Sequence, residues 1–421
     1  MGRPTKALPQ HTRAWILDGT RRCLNAGLAE WPLDLGIDLV VGHREGCFLF
    51  DVDRGPYLDA VCDGTTFNLG HRHPRLLARL KEGLGSLDTG CQFLPSSARV
   101  ELAQELLDTV PSSLSLVQFA STASEANAVA LQAARAATGR EAIVSVRGSA
   151  HELLGATPAA APAERTRSSE RAWQQVPWND LEALAAALQR RDVAALIIEP
   201  LPPELGWPLP AAGYHAGVRE LCSAAGTLLI VDETCTGLGR TGKLWAFEHW
   251  QQPPDVLVMA NGAGGGLYPL AYCLMNAAAA SWTRTRPFSV LSTLAGSELG
   301  CLLGTEVLRI TTEPQFLRHV AASAAHLAAG LRLLAAQFPA QLLEVRQLGL
   351  AAALRFADPH GGALMMPALF RHHVWARAAV FDLSVLQLTP PLVISRVQID
   401  LLLTALRDAI VDCWKTPARL T

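Results

Sequence analysis

Two apolar runs of this chain end in side chains equipped for chemistry. TLLIVDE (227–233) closes on the carboxylates of Asp232 and Glu233, and DVLVMA (255–260) delivers Asn261 to the head of a glycine turn, NGAGGG. A carboxylate at such a point holds a cationic ring nitrogen or a metal, or it caps the next turn; the local sequence favours neither. Asn261 neither titrates nor attacks a carbonyl, so its choices are to hydrogen-bond a ligand carbonyl or to cap the glycine turn. A third run, LSLVQFA (114–120), leads into STASEAN, where Thr122 and Glu125 have the spacing of a capping box. The free N–H groups and dipole of a helix starting there suit an anion such as phosphate, although any well-capped helix shares the pattern.

Other reactive groups carry less. Cys235 reads as a nucleophile or as a buried inert thiol, and the second is simpler because no base stands beside it in the sequence. His151 and Glu152 form an acid/base pair only if both turn to one side, and adjacent side chains often point apart. GLGRTG (237–242) matches G-x-G-x-x-G, but ETCT separates it from the strand and no helical period follows, so it is not a dinucleotide fingerprint.

The elements that must position these groups alternate. Candidate strands are 114–120, 141–148, 194–200, 227–233 and 255–260. Candidate helices are SEANAVALQAARAAT (124–138), stopped by Gly139, and NDLEALAAALQRR (179–191), started by an Asn cap. Strands apolar throughout and separated by helices predict an α/β fold with a mainly parallel sheet covered on both faces, and ligands beyond the carboxyl ends of its strands. Further on, 316–338 reads as a long helix, 343–356 as a strand or hairpin, and 397–414 as a closing helix. The expected organisation is an N-terminal segment (1–65) shared with a small C-terminal α+β domain (313–421), flanking a large domain (66–312).

Composition narrows the function. The chain has 421 residues, half of them hydrophobic, and a net charge of -2 without basic or acidic blocks, which gives no electrostatic case for nucleic acid or an anionic membrane. Nine scattered cysteines without a CxxC pair argue against a disulfide framework and a zinc knuckle, and no metal is expected. The N-terminus has no apolar core, and the apolar stretch 256–282 is broken by Asn261, four glycines and Pro269. A cytoplasmic protein with a small-molecule ligand is the expectation.

Seven segments, 51–76, 119–140, 149–157, 197–210, 292–300, 344–350 and 388–395, fall in an order and spacing that resembles the class III, pyridoxal-phosphate-dependent aminotransferases of fold type I. DETCTGLGRTGKLWAFEHW and PDVLVMANGAGGGLYPLAY carry the same resemblance. It implies that Asp232 pairs with the cofactor's pyridine nitrogen, that Thr122, Ala123 and Ser124 form the phosphate turn, and that Thr293 reaches a phosphate held mainly by the other subunit of a homodimer. Glu199 and Arg240 match structural or pocket-edge positions, and His151 a histidine beside the ring. The departures are as telling. Asn261 stands where the family has its Schiff-base lysine, and an amide serves neither as that amine nor as a general base near neutrality. Of the four lysines, Lys6, Lys81, Lys243 and Lys415, none is an obvious substitute.

Ala123 replaces a phosphate-turn glycine, where a Cβ would crowd the ligand or strain the turn. Ala150 replaces the stacking aromatic and Glu152 a glycine. Thr234 replaces a ring-packing valine, Cys235 a glutamine for the ring hydroxyl, and Gln387 an arginine for the substrate carboxylate. Three functions are consistent with this set. The remodelled cleft serves a pyridoxal-phosphate-independent biosynthetic step, with no covalent cofactor. Alternatively it holds pyridoxal or pyridoxamine phosphate non-covalently, with weakened affinity. In the third, the chain is a non-catalytic partner of an active relative.

Overall fold

The computed structural model describes residues 11–89, 94–150, 173–286 and 292–415. Three short strands, β1 (Val41–Glu45), β2 (Phe48–Asp51) and β3 (Gly55–Asp59), form an antiparallel meander. The central sheet follows: β4 (Leu114–Ala120), β5 (Ala142–Val146), β6 (Trp173–Val176), β7 (Val193–Ile198), β8 (Leu228–Asp232), β9 (Val256–Met259) and β10 (Ala271–Asn276). Their order is β4-β10-β9-β8-β7-β5-β6. All neighbours are parallel except β10, which runs antiparallel to both β4 and β9.

The expected strands are present: β4 has the expected bounds, β5, β8 and β9 are shorter by two or three residues, and β7 starts one residue earlier and ends two earlier. Every residue of β7 and β9 is buried, as helices on both faces require. Each fully buried aliphatic such as Ile197 or Ile230 contributes about 1.5–3 kcal/mol. The helix Ala123–Thr138 lies close against this sheet because its inward face is alanine: Ala126, Ala130, Ala133 and Ala134 are fully buried. Gly139, at φ 65°, ends it in the left-handed conformation that glycine adopts without cost. The next expected helix runs Leu181–Leu188, and its cap is Asp180, whose Oδ1 accepts from the Ala183 N–H at 2.8 Å. Asn179, the expected cap, instead sits at φ 61° and accepts from the Ala211 N–H.

The 343–356 region is a hairpin of β11 (Leu342–Leu348) and β12 (Ala351–Phe356). A Cβ at its turn residue Gly349 would lie 2.3 Å from the Thr241 carbonyl carbon, so only glycine fits. Strands β13 (Val374–Trp375), β14 (Arg377–Ala378) and β15 (Val385–Leu388) follow. β14 and β15 extend the hairpin sheet, while β13 pairs in parallel with β3, tying the N-terminal meander to the C-terminal region. Helix Pro314–Gln337 is the one described helix long and apolar enough to cross a membrane by length and composition. Its buried residues, Phe316, Val320, Ser323, Leu327, Leu331 and Leu334, recur every three or four positions, the stripe of an amphipathic helix on a core. The closing helix is Arg396–Lys415.

Candidate functional site

Three chain ends meet beyond the carboxyl edge of the sheet: the start of helix Ala123–Thr138 after β4, the turn after β8, and the glycine turn after β9. Thr122 is the N-cap, its Oγ1 accepting from the Glu125 N–H at 3.2 Å. The reciprocal arm of the box goes one residue further back, where Glu125 Oε2 accepts from the Ser121 N–H at 2.8 Å. Ala123 is buried in the first helical turn and is not among the residues with positive φ, so its methyl does not strain this turn. The expected strain is therefore absent, because the position needs ordinary helical backbone, which alanine favours. Ser124 lies in the same turn.

Asp232 and Glu233 divide the work left open above. Glu233, fully buried, caps the following segment: its Oε1 accepts from the Phe247 N–H at 2.8 Å and its Oε2 from the Thr236 hydroxyl at 2.6 Å. Burial raises its pKa to about 7 despite these bonds. Asp232, 3% exposed, faces the helix, accepting from Asn127 Nδ2 and from the Thr234 N–H, each at 2.9 Å. Asn127 was missed in the sequence, yet a signal was there: an amide on an otherwise alanine-lined inner helix face. Two hydroxyls nearby, Ser121 Oγ and Thr234 Oγ1, are buried without a hydrogen-bond partner. GLGRTG adopts turns with no α-helix after it, as a non-dinucleotide segment should.

Asn261 is half-buried at φ 46°, and its Nδ2 donates to the Gly64 carbonyl at 2.8 Å. Gly64 belongs to a run of four residues with positive φ, Cys62, Asp63, Gly64 and Thr65. Each non-glycine member costs roughly 1–2 kcal/mol, so the surroundings must hold the run in place. Asp59 Oδ1 grips its start through the Val61 and Cys62 N–H groups. Thr65 Oγ1 donates to the Thr234 carbonyl at 3.2 Å, and the Cys235 thiol reaches the same Gly64 carbonyl at 3.7 Å. The glycine turn has its own reason: a Cβ at Gly265 would stand 2.2 Å from Leu76, and one at Gly266 2.4 Å from Phe67. Asn261, Thr66, Ser121, Thr122, Ala123 and the 266–270 segment enclose a cavity of about 340 Å³.

The remaining expected positions do not line this cavity, although Cys235 reaches the Gly64 carbonyl that Asn261 holds and lies near Asp232, Glu199 and Glu204. Burial and the neighbouring carboxylates Glu199, Asp232 and Glu204 push the Cys235 thiol well above its ordinary pKa, which fits an inert thiol rather than a nucleophile. Glu199, 2% exposed, accepts from the Ala150 N–H at 2.9 Å. Gln387 lies in β15 opposite Arg377, buried, with Nε2 lacking a partner. Arg240 is a buried tie to the carbonyls of Leu350 and Pro390 and to Asn68. Thr293 is exposed, one residue beyond Ser292, whose hydroxyl reaches Glu125. His151 and Glu152 lie outside the described residues, as does Lys6. Lys243 donates to the Glu248 carbonyl and Lys81 is exposed; neither lines the cavity. Among the described residues no group of three or more His, Cys, Asp or Glu could hold a metal ion.

Comparisons with known proteins follow this geometry. The model of the family described as aminotransferase class III matches residues 34–410. An uncharacterized aminotransferase from Archaeoglobus fulgidus is 35% identical over 401 residues, covering 94% of each chain. A putrescine aminotransferase from Pectobacterium atrosepticum is 30% identical over 374 residues, 86% of this chain and 80% of the relative. The ornithine aminotransferase of Toxoplasma gondii superposes with a TM-score of 0.85 over 96% of both chains at 22% identity, which speaks for the fold alone. On the strength of its match along nearly the whole sequence, the chain belongs to the class III aminotransferase family, normally pyridoxal-phosphate-dependent, with the fold type I architecture.

Proposed function

We propose that this protein is a class III homologue lacking the lysine that attaches the cofactor, and that its cleft binds a phosphate-bearing small molecule without a covalent bond. The observation that carries the proposal is Asn261: it heads the glycine turn, lines the cavity, and spends its N–H on the Gly64 carbonyl, offering no amine. Pyridoxal phosphate fits this cleft at two of its ends and not at the third. The start of helix Ala123–Thr138, with the unpartnered Ser121 hydroxyl, suits a phosphate, and Asp232, held by Asn127 of the same helix outside the cavity wall, keeps lone pairs for a ring nitrogen. An aldehyde near Asn261 would meet an amide in place of an amine, and Ala150, at the position the resemblance gives to a stacking aromatic, would offer no ring. The position of Asn261 therefore offers no amine for transamination.

The chain's own groups can still bind and orient. The helix N-terminus places the anion, Asp232 orders the ring or its equivalent, and Asn261 fixes the loop that borders the cavity. A pyridoxal-phosphate-independent step in biosynthesis is the primary reading. A second reading makes the bound molecule pyridoxal or pyridoxamine phosphate itself, and the pairing of Asp232 with a phosphate-ready helix start favours it. Under either, Thr293 is assigned to the phosphate end of the neighbouring site in a homodimer.

Calorimetric titration of the full chain with inorganic phosphate, pyridoxamine phosphate and unphosphorylated pyridoxamine tests the proposal. Phosphorylated ligand should bind at least ten-fold more tightly than its unphosphorylated counterpart, and Thr122→Ala should reduce that preference. Equal affinity for the two pyridoxamines would overturn it.

A further inference from the structure

Four residues stand in one row across the C-terminal sheet. Arg346 on β11 lies opposite Ala353 on β12, Ala353 opposite Gln387 on β15, and Gln387 opposite Arg377 on β14. Residues directly opposed in antiparallel strands share a face, so two guanidiniums flank an alanine and an amide on one side of the sheet. That side meets the turn Pro203–Leu205, which follows β7. Arg346 Nη1 donates to the Gly206 carbonyl at 2.9 Å, and Arg377 Nη2 to Glu204 Oε1 at 2.6 Å.

The two arginines differ in what they have left. Arg346 spends Nη1 on the Leu205 and Gly206 carbonyls and Nη2 on Glu344, and its side chain is 13% exposed. Arg377 makes a one-point contact, because Glu204 turns its other oxygen to the Val380 N–H at 3.4 Å. Its side chain is 34% exposed, against 9% for Glu204, so the guanidinium reaches solvent past its partner. A planar guanidinium can hold a carboxylate at two points, and a one-point contact leaves that fork open.

The open side has a definite place in the fold. Glu204 follows β7 and Cys235 follows β8, both past the carboxyl ends of parallel strands, where the ligands of such sheets lie. The Glu204 charge helps to raise the Cys235 thiol, and Cys235 is 3.7 Å from the Gly64 carbonyl that Asn261 holds. Val380 and Phe381, just beyond β14, are 44% and 45% exposed, an apolar flank beside a charge.

We propose that Arg377 determines specificity in the cleft by binding a carboxylate of the ligand, with an apolar or aromatic arm lying on Val380 and Phe381 and with Glu204 as the internal competitor for the same guanidinium. The inference rests on the cleft being a small-molecule site, and adds to it an anion read by a side chain rather than by a helix start. Arg377 acts by binding; no bond of the ligand is broken.

Calorimetry of the full chain with 3-phenylpropanoate, against 3-phenylpropanamide as a neutral counterpart of the same shape, tests this. The carboxylate should bind at least ten-fold more tightly. Arg377→Gln should remove that preference, and Arg377→Lys, which keeps the charge without the fork, should retain part of it. Glu204→Gln leaves Arg377 a hydrogen-bond acceptor and removes the competing charge, so it should tighten the carboxylate about five-fold. An ion pair that only holds the fold predicts the same sign for both partners; a binding role predicts opposite signs. Absence of saturable binding at millimolar carboxylate, equal affinity for acid and amide, an unchanged preference in Arg377→Gln, or unchanged or weaker binding in Glu204→Gln would each overturn the proposal. Should Arg377→Gln not fold, undiminished affinity in Arg377→Lys would overturn it equally. Neither probe carries a phosphate, so failure here and failure of the phosphorylated-ligand titration are read separately.

Discussion

Replacing Asn261 separates its two roles, donor to Gly64 and bearer of a left-handed backbone. Asn261→Gly removes the 2.8 Å bond and keeps a residue at ease at φ 46°. A neutral hydrogen bond is worth about 1 kcal/mol net, so loop 62–65 should open roughly five-fold more often. Asn261→Ala removes the same bond and should open the loop equally, while its left-handed strain of about 1 kcal/mol falls on the glycine turn, seen as a lower urea midpoint than in Asn261→Gly. Amide hydrogen exchange over residues 61–66 reads these openings directly, because local unfolding sets the exchange rate where the loop opens independently of the core. The central strands, β7 above all, should exchange as before. Equal protection of 61–66 in wild type and both variants would refute the assignment of Asn261 as the loop's holder.

Burial of two titratable groups predicts opposing pH slopes. Glu233, raised to about 7 from 4.5, keeps its proton in the folded state while the unfolded chain has lost it; stability therefore falls by about 3 kcal/mol as pH rises from 4.5 to 7, and Glu233→Gln should remove that slope in urea titrations. His215 is lowered by burial to about 4 from 6.5, so the unfolded chain takes up a proton first, stability falls as pH drops from 6.5 to 4, and His215→Gln should flatten that limb by a similar amount. Thr122→Ala should cost about 1 kcal/mol through the lost cap, seen as a lower urea midpoint with unchanged slope.

Much of the scaffold is legible in the sequence because buried parallel strands are short, continuous and apolar. The same property hides direction. The run Ala271–Asn276 is as apolar as its neighbours, and nothing in it announces that β10 reverses to fit between β4 and β9. The cap at Thr122 was readable from spacing. The loop Cys62–Thr65 was not, since Cys62 and Thr65 are types that seldom adopt a left-handed backbone, and apart from Asp59 the contacts that hold it come from Asn261, Thr234 and Cys235, some 170 to 200 positions away in sequence. Of the two effects expected of Ala123, crowding of a ligand or strain of the turn, the strain is absent because the backbone there is plain helix. The local sequence left Asp232 and Glu233 equivalent and only the family resemblance singled out Asp232; the fold adds the physical difference, one carboxylate turning toward helix Ala123–Thr138 and the other capping Phe247.

On the proposed function, no side chain of this protein makes a covalent bond to the cofactor its relatives use. Incubation of the full chain with pyridoxal phosphate, reduction with borohydride and intact-mass measurement tests it most directly. The account predicts unmodified mass for the wild type under conditions in which Asn261→Lys gains one pyridoxyl group. A stoichiometric adduct on the wild-type chain at a single cleft residue, with steady amino-group exchange between substrates, would contradict it.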